Sequence, residues 1–178
     1  LECLQLKSRA ERPGELELIR MSAEAIRSLA DIWPMQAELN KRAGFDTGAL
    51  GEALRAAEAG GTLPDEGGLR TDIGRALKNY IDAMASECHE LQECLSWKHW
   101  YREAKEGRQY ELQDVQNARV EATDMLFFLI SICQLLGVAP KDLFRLYAQK
   151  LGINHKRQDE DRSQAEHASH EDENREVV

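Results

Sequence analysis

The sequence predicts an all-α bundle. Apolar residues recur at helical spacing along most of the chain, and glycine and proline punctuate the segments between. No stretch alternates apolar and polar residues as a half-buried strand would, and no repeat returns at a fixed period. A chain of 178 residues suits one domain with a sizeable core.

The first helix is expected from Ser22, as N-cap, to Lys41, with Ile26, Leu29, Ile32, Trp33, Met35 and Leu39 on its apolar face. Pro34 should kink or restart it, because proline removes a backbone donor and clashes with the preceding turn. A short helix, GALGEALRAAEAG, ends at Gly60-Gly61, and GGTLPDEGG is a breaker. Thr71 is read as the cap of a long helix to about Leu95, carrying Ile73, Leu77, Tyr80, Ile81 and Met84. SWKHWYREAKEGRQYELQD, polar with interleaved aromatics, reads as a partly ordered connection. The most apolar helix spans about Val115 to Leu136 and stops at Gly137. The last, PKDLFRLYAQKL, opens on Pro140 and ends before Gly152. The domain is thus placed at residues 22–158, after an extension at 1–21 and before an acidic tail at 159–178 that is read as disordered.

Composition narrows the function classes. The net charge of −9 argues against a nucleic-acid polymer as partner. The longest apolar run falls far short of the roughly 20 residues of a membrane span. The opening residues LECLQLKSRAERPG, charged from the second position, do not match a secretory leader. Cys3, Cys88, Cys94 and Cys133 show neither CxxC nor zinc spacing and read as reduced thiols of a cytoplasmic protein.

Four acids carry the chemistry. Glu87 and Glu90 lie in IDAMASECHELQECLSW, and Glu121 and Asp124 in QNARVEATDMLFFLISICQLLG. Spacing of i, i+3 puts each pair on one helix face. With 32 acids in the chain, about six such pairs arise by chance, and most line a solvated face. Position separates the second pair. Glu121 and Asp124 are the only charges between Val120 and Val138, and MLFFLI follows directly. A helix apolar nearly all round is expected to be central and buried, so its acids need a cation. Four facing carboxylates make a cage for hard divalent ions, and a triphosphate could share them. Lys98, His99, Lys150 and Arg157, with Asn154, are candidates for the remaining phosphate oxygens.

At these residues the chain resembles the all-α NTP pyrophosphatase superfamily, whose metal segments have the form ExxE…ExxD, and within it the dimeric dUTPase branch. The likeness extends to Trp97, Lys98 and Trp100 after the first acids, and to Tyr147, Lys150, Asn154 and Arg157 in the last helix. It also takes in Gln36, Leu39 and Asn40 in the first, covering about Met35 to Asp159 in the family's order.

The resemblance implies a helical, dimeric enzyme converting dUTP and water to dUMP and pyrophosphate. Glu87, Glu90, Glu121 and Asp124 would hold two or three Mg²⁺, with Mn²⁺ as a substitute, and Glu87 or Glu90 would also activate the water. Lys98, Lys150 and Arg157 would bind phosphates. Gln36, Asn40, Trp97, Trp100 and Asn154 would hold the nucleoside. The thirty residues between Glu90 and Glu121 exceed the superfamily's usual spacing, so the insert YREAKEGRQYELQD is read as a lid or a modifier of base choice. Broader dNTP hydrolysis and a non-catalytic metal-stabilised regulator are the alternatives. The intact set of four acids speaks against the regulator.

Overall fold

The computed structural model describes residues 26–61, 68–160 and 171–177. Among them are six α-helices and no strand: α1 (Leu29–Arg42), α2 (Thr47–Ala59), α3 (Leu69–Glu93), α4 (Arg102–Lys105), α5 (Val115–Leu135) and α6 (Pro140–Asp159). A 3₁₀ turn, Glu171–Glu176, follows. The all-α class is therefore as the periodicity predicts.

Local chemistry sets the helix ends. Ser28 precedes α1, and its N–H and hydroxyl both donate to the Asp31 carboxylate, at 2.8 and 2.9 Å. The expected cap at Ser22 lies outside the described residues. Pro34 sits inside α1, which continues to Arg42, so the missing donor is tolerated without a break. Asp46 and Asp114 cap α2 and α5 by accepting from the Ala49 and Asn117 N–H groups. The long helix starts at Leu69 rather than at a Thr71 cap. Gly68, in the left-handed region at φ 77°, makes that turn, and its carbonyl accepts from Asp72 at 2.8 Å.

Gly137 ends α5 as expected. At φ 69° it lets Val138 N–H reach the Cys133 carbonyl at 2.9 Å and its own N–H reach that of Gln134 at 3.0 Å, a Schellman ending. Gly152 does not end α6, which runs on to Asp159. One interior glycine costs only about 1 kcal/mol, too little to stop a helix with good residues on both sides.

The core forms where α3 and α5 make the most extensive pairing of the bundle. They run antiparallel: Ala76 packs near Leu135, Tyr80 near Phe128, and Glu87 meets Glu121 and Asp124. Phe45 and Leu50 close this cluster from the α1–α2 side. On this same side α2 lies close against the end of α5, where a Cβ on Gly51 would fall 1.8 Å from the Gln134 carbonyl oxygen.

Two expectations are corrected here. The helix read as buried all round is buried on one side only. Glu121, Ile130, Ser131, Cys133, Gln134 and Leu135 face inward, whereas Val120, Leu126, Phe127, Leu129 and Leu136 are exposed by 38–46%. An apolar sequence calls for cover but does not say which molecule supplies it. The connection after α3, read as partly ordered, is ordered throughout. Ser96 and Tyr110 exchange backbone bonds with Glu111 and Ser96, Gln113 returns to Cys94, and Arg108 holds Glu106 and Glu111.

No single helix among the described residues is long and apolar enough to cross a membrane; α5 and α6 meet that test only as a pair bent by 100°.

Candidate metal centre and adjoining cavity

Two antiparallel helices bring three of the four acids together. Glu87 of α3 and Glu121 and Asp124 of α5 each offer a carboxylate oxygen within 4.8 Å of the others. Among the described residues no lysine or arginine forms an ion pair with any of them. Glu121 is 7% exposed, so its environment carries charge with little water. Burial pushes the Glu87 carboxyl above its ordinary range. Its hydrogen bond with Glu121 and the charges of Glu90, Asp124 and Glu121 push it the same way. Glu90, one turn on, is exposed, stays outside the cluster and accepts a 3.4 Å bond from the Ser86 hydroxyl.

Beside the acids lies a cavity of about 230 Å³, walled by Gln36, Asn40, Tyr80, Glu87, Asp124 and Phe128 with neighbouring apolar groups. Gln36 and Asn40 are thus brought to the acids. Both are buried in a polar network that ties α1 to α5 and to the start of α2. Gln36 Nε2 donates to Asn40 Oδ1 at 2.9 Å and to the Ser131 hydroxyl at 3.2 Å. Asn40 Nδ2 donates to Thr47, Ser131 and Gln134. Thr47 donates to Gln134 Oε1 at 2.6 Å, and Gln134 Nε2 to the Trp33 carbonyl at 2.7 Å. Such a satisfied network fixes a unique helix arrangement. Asn40 spends its whole amide within it, and Gln36 keeps only its Oε1.

Thr47, Ser131 and Gln134 were not among the sequence candidates. The signal for two of them was present: Ser131 and Gln134 are polar residues at i, i+3 within the apolar α5. Tyr80 was read only as part of an apolar face. It is 5% exposed, its ring meets Phe45 edge-on at 5.7 Å and Phe128 at 6.3 Å, and its hydroxyl has no partner.

The other candidates lie elsewhere. Lys98 is bonded to Glu93 at 2.8 Å, and its ammonium sits 5.2 Å from the Trp97 ring and 5.8 Å from Tyr101. Trp97 Nε1 also donates to Glu93, and Trp100 stacks edge-on against Trp97 and His99. Glu93, Trp97, Lys98 and Tyr101 line a separate polar cleft with Ser96, Glu103 and Gln113, and Trp100 and His99 lie outside it.

Lys150, Asn154 and Arg157 are carried on α6, and no α6 residue lines the acidic cavity. Here one short segment of the acidic tail meets α6. Within the 3₁₀ segment Glu173 accepts from Arg157 Nε at 2.8 Å and lies 3.8 Å from the Lys156 ammonium. Asn174 accepts from Lys150. Arg157 and Glu173 side chains are only 12% and 14% exposed, so a carboxylate occupies part of this cationic face. Residues 161–170 lie outside the described residues, as do 1–25 with the whole N-terminal extension.

Comparison with protein-family models, curated proteins and solved structures gave no match to this chain.

Proposed function

We propose that the chain is a Mg²⁺-dependent nucleoside triphosphate pyrophosphohydrolase of the all-α NTP pyrophosphatase type, acting on dUTP. The observation that carries this reading is the cluster of Glu87, Glu121 and Asp124, three oxygen donors without a cationic partner among the described residues. Hard carboxylate oxygens on two facing helices fit Mg²⁺, with Mn²⁺ as a substitute. The raised Glu87 carboxyl supports the fit, since burial and the neighbouring acids disfavour an uncompensated charge there. When bound, Mg²⁺ neutralises triphosphate charge and lowers the pKa of coordinated water.

The remaining work falls to the chain's own groups. Water oxygen attacks phosphorus, the bond to the pyrophosphate oxygen breaks, and Glu87 takes the proton from the attacking water. Glu90, on the exposed side of the same helix, adds negative charge that keeps Glu87 basic enough for that role. Glu121 and Asp124 would hold the cation. Gln36 and Asn40 stiffen the cavity wall beside the acids, which suits a site that receives the nucleoside.

Lys150, Arg157 and Asn154 remain the proposed phosphate and nucleotide contacts. Anion binding on α6 is supported by the Glu173 carboxylate resting on Arg157 and Lys156. Lys98 would have to leave Glu93 to serve in the same way.

A homodimer is part of the proposal. It is supported by the exposed apolar residues of α5, together with Met35 and Leu39 of α1 and Phe144, Tyr147 and Leu151 of α6, which a second copy could cover. A second copy that covers α5 also offers a route for α6 cations to reach an acid cluster. Free thiols at Cys88, Cys94 and Cys133 suit a reducing cytoplasm.

Pyrophosphate release with Mg²⁺ across dUTP, dCTP, dTTP, dATP and dGTP tests the reading. Selective turnover of dUTP is expected. Comparable turnover of all five replaces it with a broad dNTP pyrophosphohydrolase, and none with any leaves a metal-binding regulator.

A further inference from the structure

The six residues Glu171–Glu176 form a 3₁₀ turn although their sequence, EDENRE, contains nothing apolar to bury. Runs of 3₁₀ helix beyond about three or four residues are uncommon, because their hydrogen bonds are poorly aligned. A run of this length and composition draws its order from polar contacts, and those contacts lie on α6. Glu173 divides its carboxylate between two cations: Oε2 accepts from Arg157 Nε at 2.8 Å, and Oε1 lies 3.8 Å from the Lys156 ammonium. Asn174 accepts from the Lys150 ammonium through its Oδ1. Glu173 is only 16 residues from Arg157 along the chain, so tethering keeps the carboxylate near its partner at high effective concentration.

The row of donors on α6 fits something larger than one carboxylate. Lys150 and Arg157 stand at i, i+7 on one helix face, with Asn154 between them. Their backbones are about 10 Å apart along the axis. A chain of phosphates brings several charges and oxygens to such a row, and each forms a stronger charge-assisted bond than a neutral amide oxygen does. The Arg157 and Glu173 side chains are 12% and 14% exposed. An anion therefore reaches Arg157 Nε by taking the place that the Glu173 carboxylate now holds, and the two compete for one position.

We propose that Glu171–Glu176 is an autoinhibitory strap, whose Glu173 and Asn174 occupy the anion-binding face of α6 and leave it when a triphosphate chain binds. The inference rests on the proposed function for the identity of that anion and adds regulation to its phosphate site. A strap closed about nine-tenths of the time weakens the apparent affinity about tenfold.

The test is calorimetric binding of inorganic tripolyphosphate in chelator, where no divalent ion can bridge it to the acids. It compares wild type, Glu173→Gln, Arg157→Gln and the double variant, all in the full chain. Glu173→Gln is expected to bind about three- to tenfold more tightly than wild type. That gain should vanish in the Arg157→Gln background, because it runs through the Arg157 contact. Equal affinity of wild type and Glu173→Gln overturns the strap, as does weaker binding by the variant. An equal gain in both backgrounds also overturns it, since that marks only a general loss of negative charge. Turnover of dUTP by wild type, measured separately, keeps the two readings apart. Turnover beside an unchanged tripolyphosphate affinity removes the strap and leaves the proposed function standing. Tighter binding by Glu173→Gln without turnover of any dNTP keeps the strap over an anion site and removes the function.

Discussion

Replacing Glu121 with Gln should make the metal-free protein more stable. The three carboxylates of the cluster lie within 4.8 Å of one another, and at an effective dielectric constant of about 20 two unit charges at that separation repel by about 3.5 kcal/mol. Glu121 takes part in two such pairs. The raised Glu87 carboxyl and surrounding solvent offset part of that repulsion. A net gain of about 1 kcal/mol is therefore expected, which raises Tm by about 2–4 °C in a chain of this size. With Mg²⁺ the order reverses. Wild type at a hundredfold excess over Kd gains about 2.7 kcal/mol, or about 5–10 °C, while Glu121→Gln gains little. Thermal unfolding in chelator and in MgCl₂ reads both effects, and the variant should release no pyrophosphate while its helical circular dichroism is unchanged. A Glu121→Gln protein less stable than wild type in chelator, beside a wild type indifferent to Mg²⁺ and Mn²⁺, would refute the metal reading.

Three further outcomes follow from particular contacts. Because Glu87 is raised in the fold, the native state holds its proton to higher pH than the unfolded chain does. That contribution is full below the ordinary carboxylate value of 4.5 and is lost as pH rises through the folded value, so the Mg²⁺-induced rise in Tm should grow from about pH 5 towards neutrality. A Mg²⁺ effect that is flat or shrinks over that range contradicts the cluster's electrostatics. Glu173→Gln frees Arg157 and Lys156 of a carboxylate, so KM for the triphosphate should fall severalfold, most clearly at low salt; a KM that rises or stays fixed separates the tail from the phosphate site. Gly51→Ala drives a methyl into the Gln134 carbonyl and should cost about 3 kcal/mol, read as a lower denaturant midpoint at constant m-value. Wild-type stability there would mean that α2 and α5 are not in close backbone contact.

The helices were legible because their signals are local. Apolar spacing marks α1, α3 and α5, and Gly137 ends α5 through its own left-handed backbone. Where glycine's meaning depends on neighbours, the reading failed. Gly152 was taken as a stop, although helix-favouring residues on both sides carry α6 through it, and Gly68 was passed over for Thr71. Glu121 and Asp124 stood out as charges in an apolar run, and that exception survives as the acid cluster. Glu90 shares its helix and spacing, yet it faces solvent; an i, i+3 step turns a side chain about 60° around the helix, and spacing cannot say which of the two meets the partner helix.

Tyr80 was invisible for a different reason. A tyrosine in an apolar stripe reads as core, and only coordinates show that its hydroxyl lacks a partner. Composition alone described the tail, and composition cannot reveal that Glu173 meets Arg157. The apolar richness of α5 was plain, but burial by the chain and burial by a second chain leave the same mark on a sequence.

The most direct measurement of the central claim is the product pair formed from dUTP and Mg²⁺, followed by ³¹P NMR. Attack at the phosphorus nearest the nucleoside gives dUMP and pyrophosphate in equal amounts, with neither dUDP nor orthophosphate at early times, and chelator stops it. Formation of dUDP and orthophosphate, or unchanged dUTP at high protein concentration with Mg²⁺ and Mn²⁺, would contradict the account.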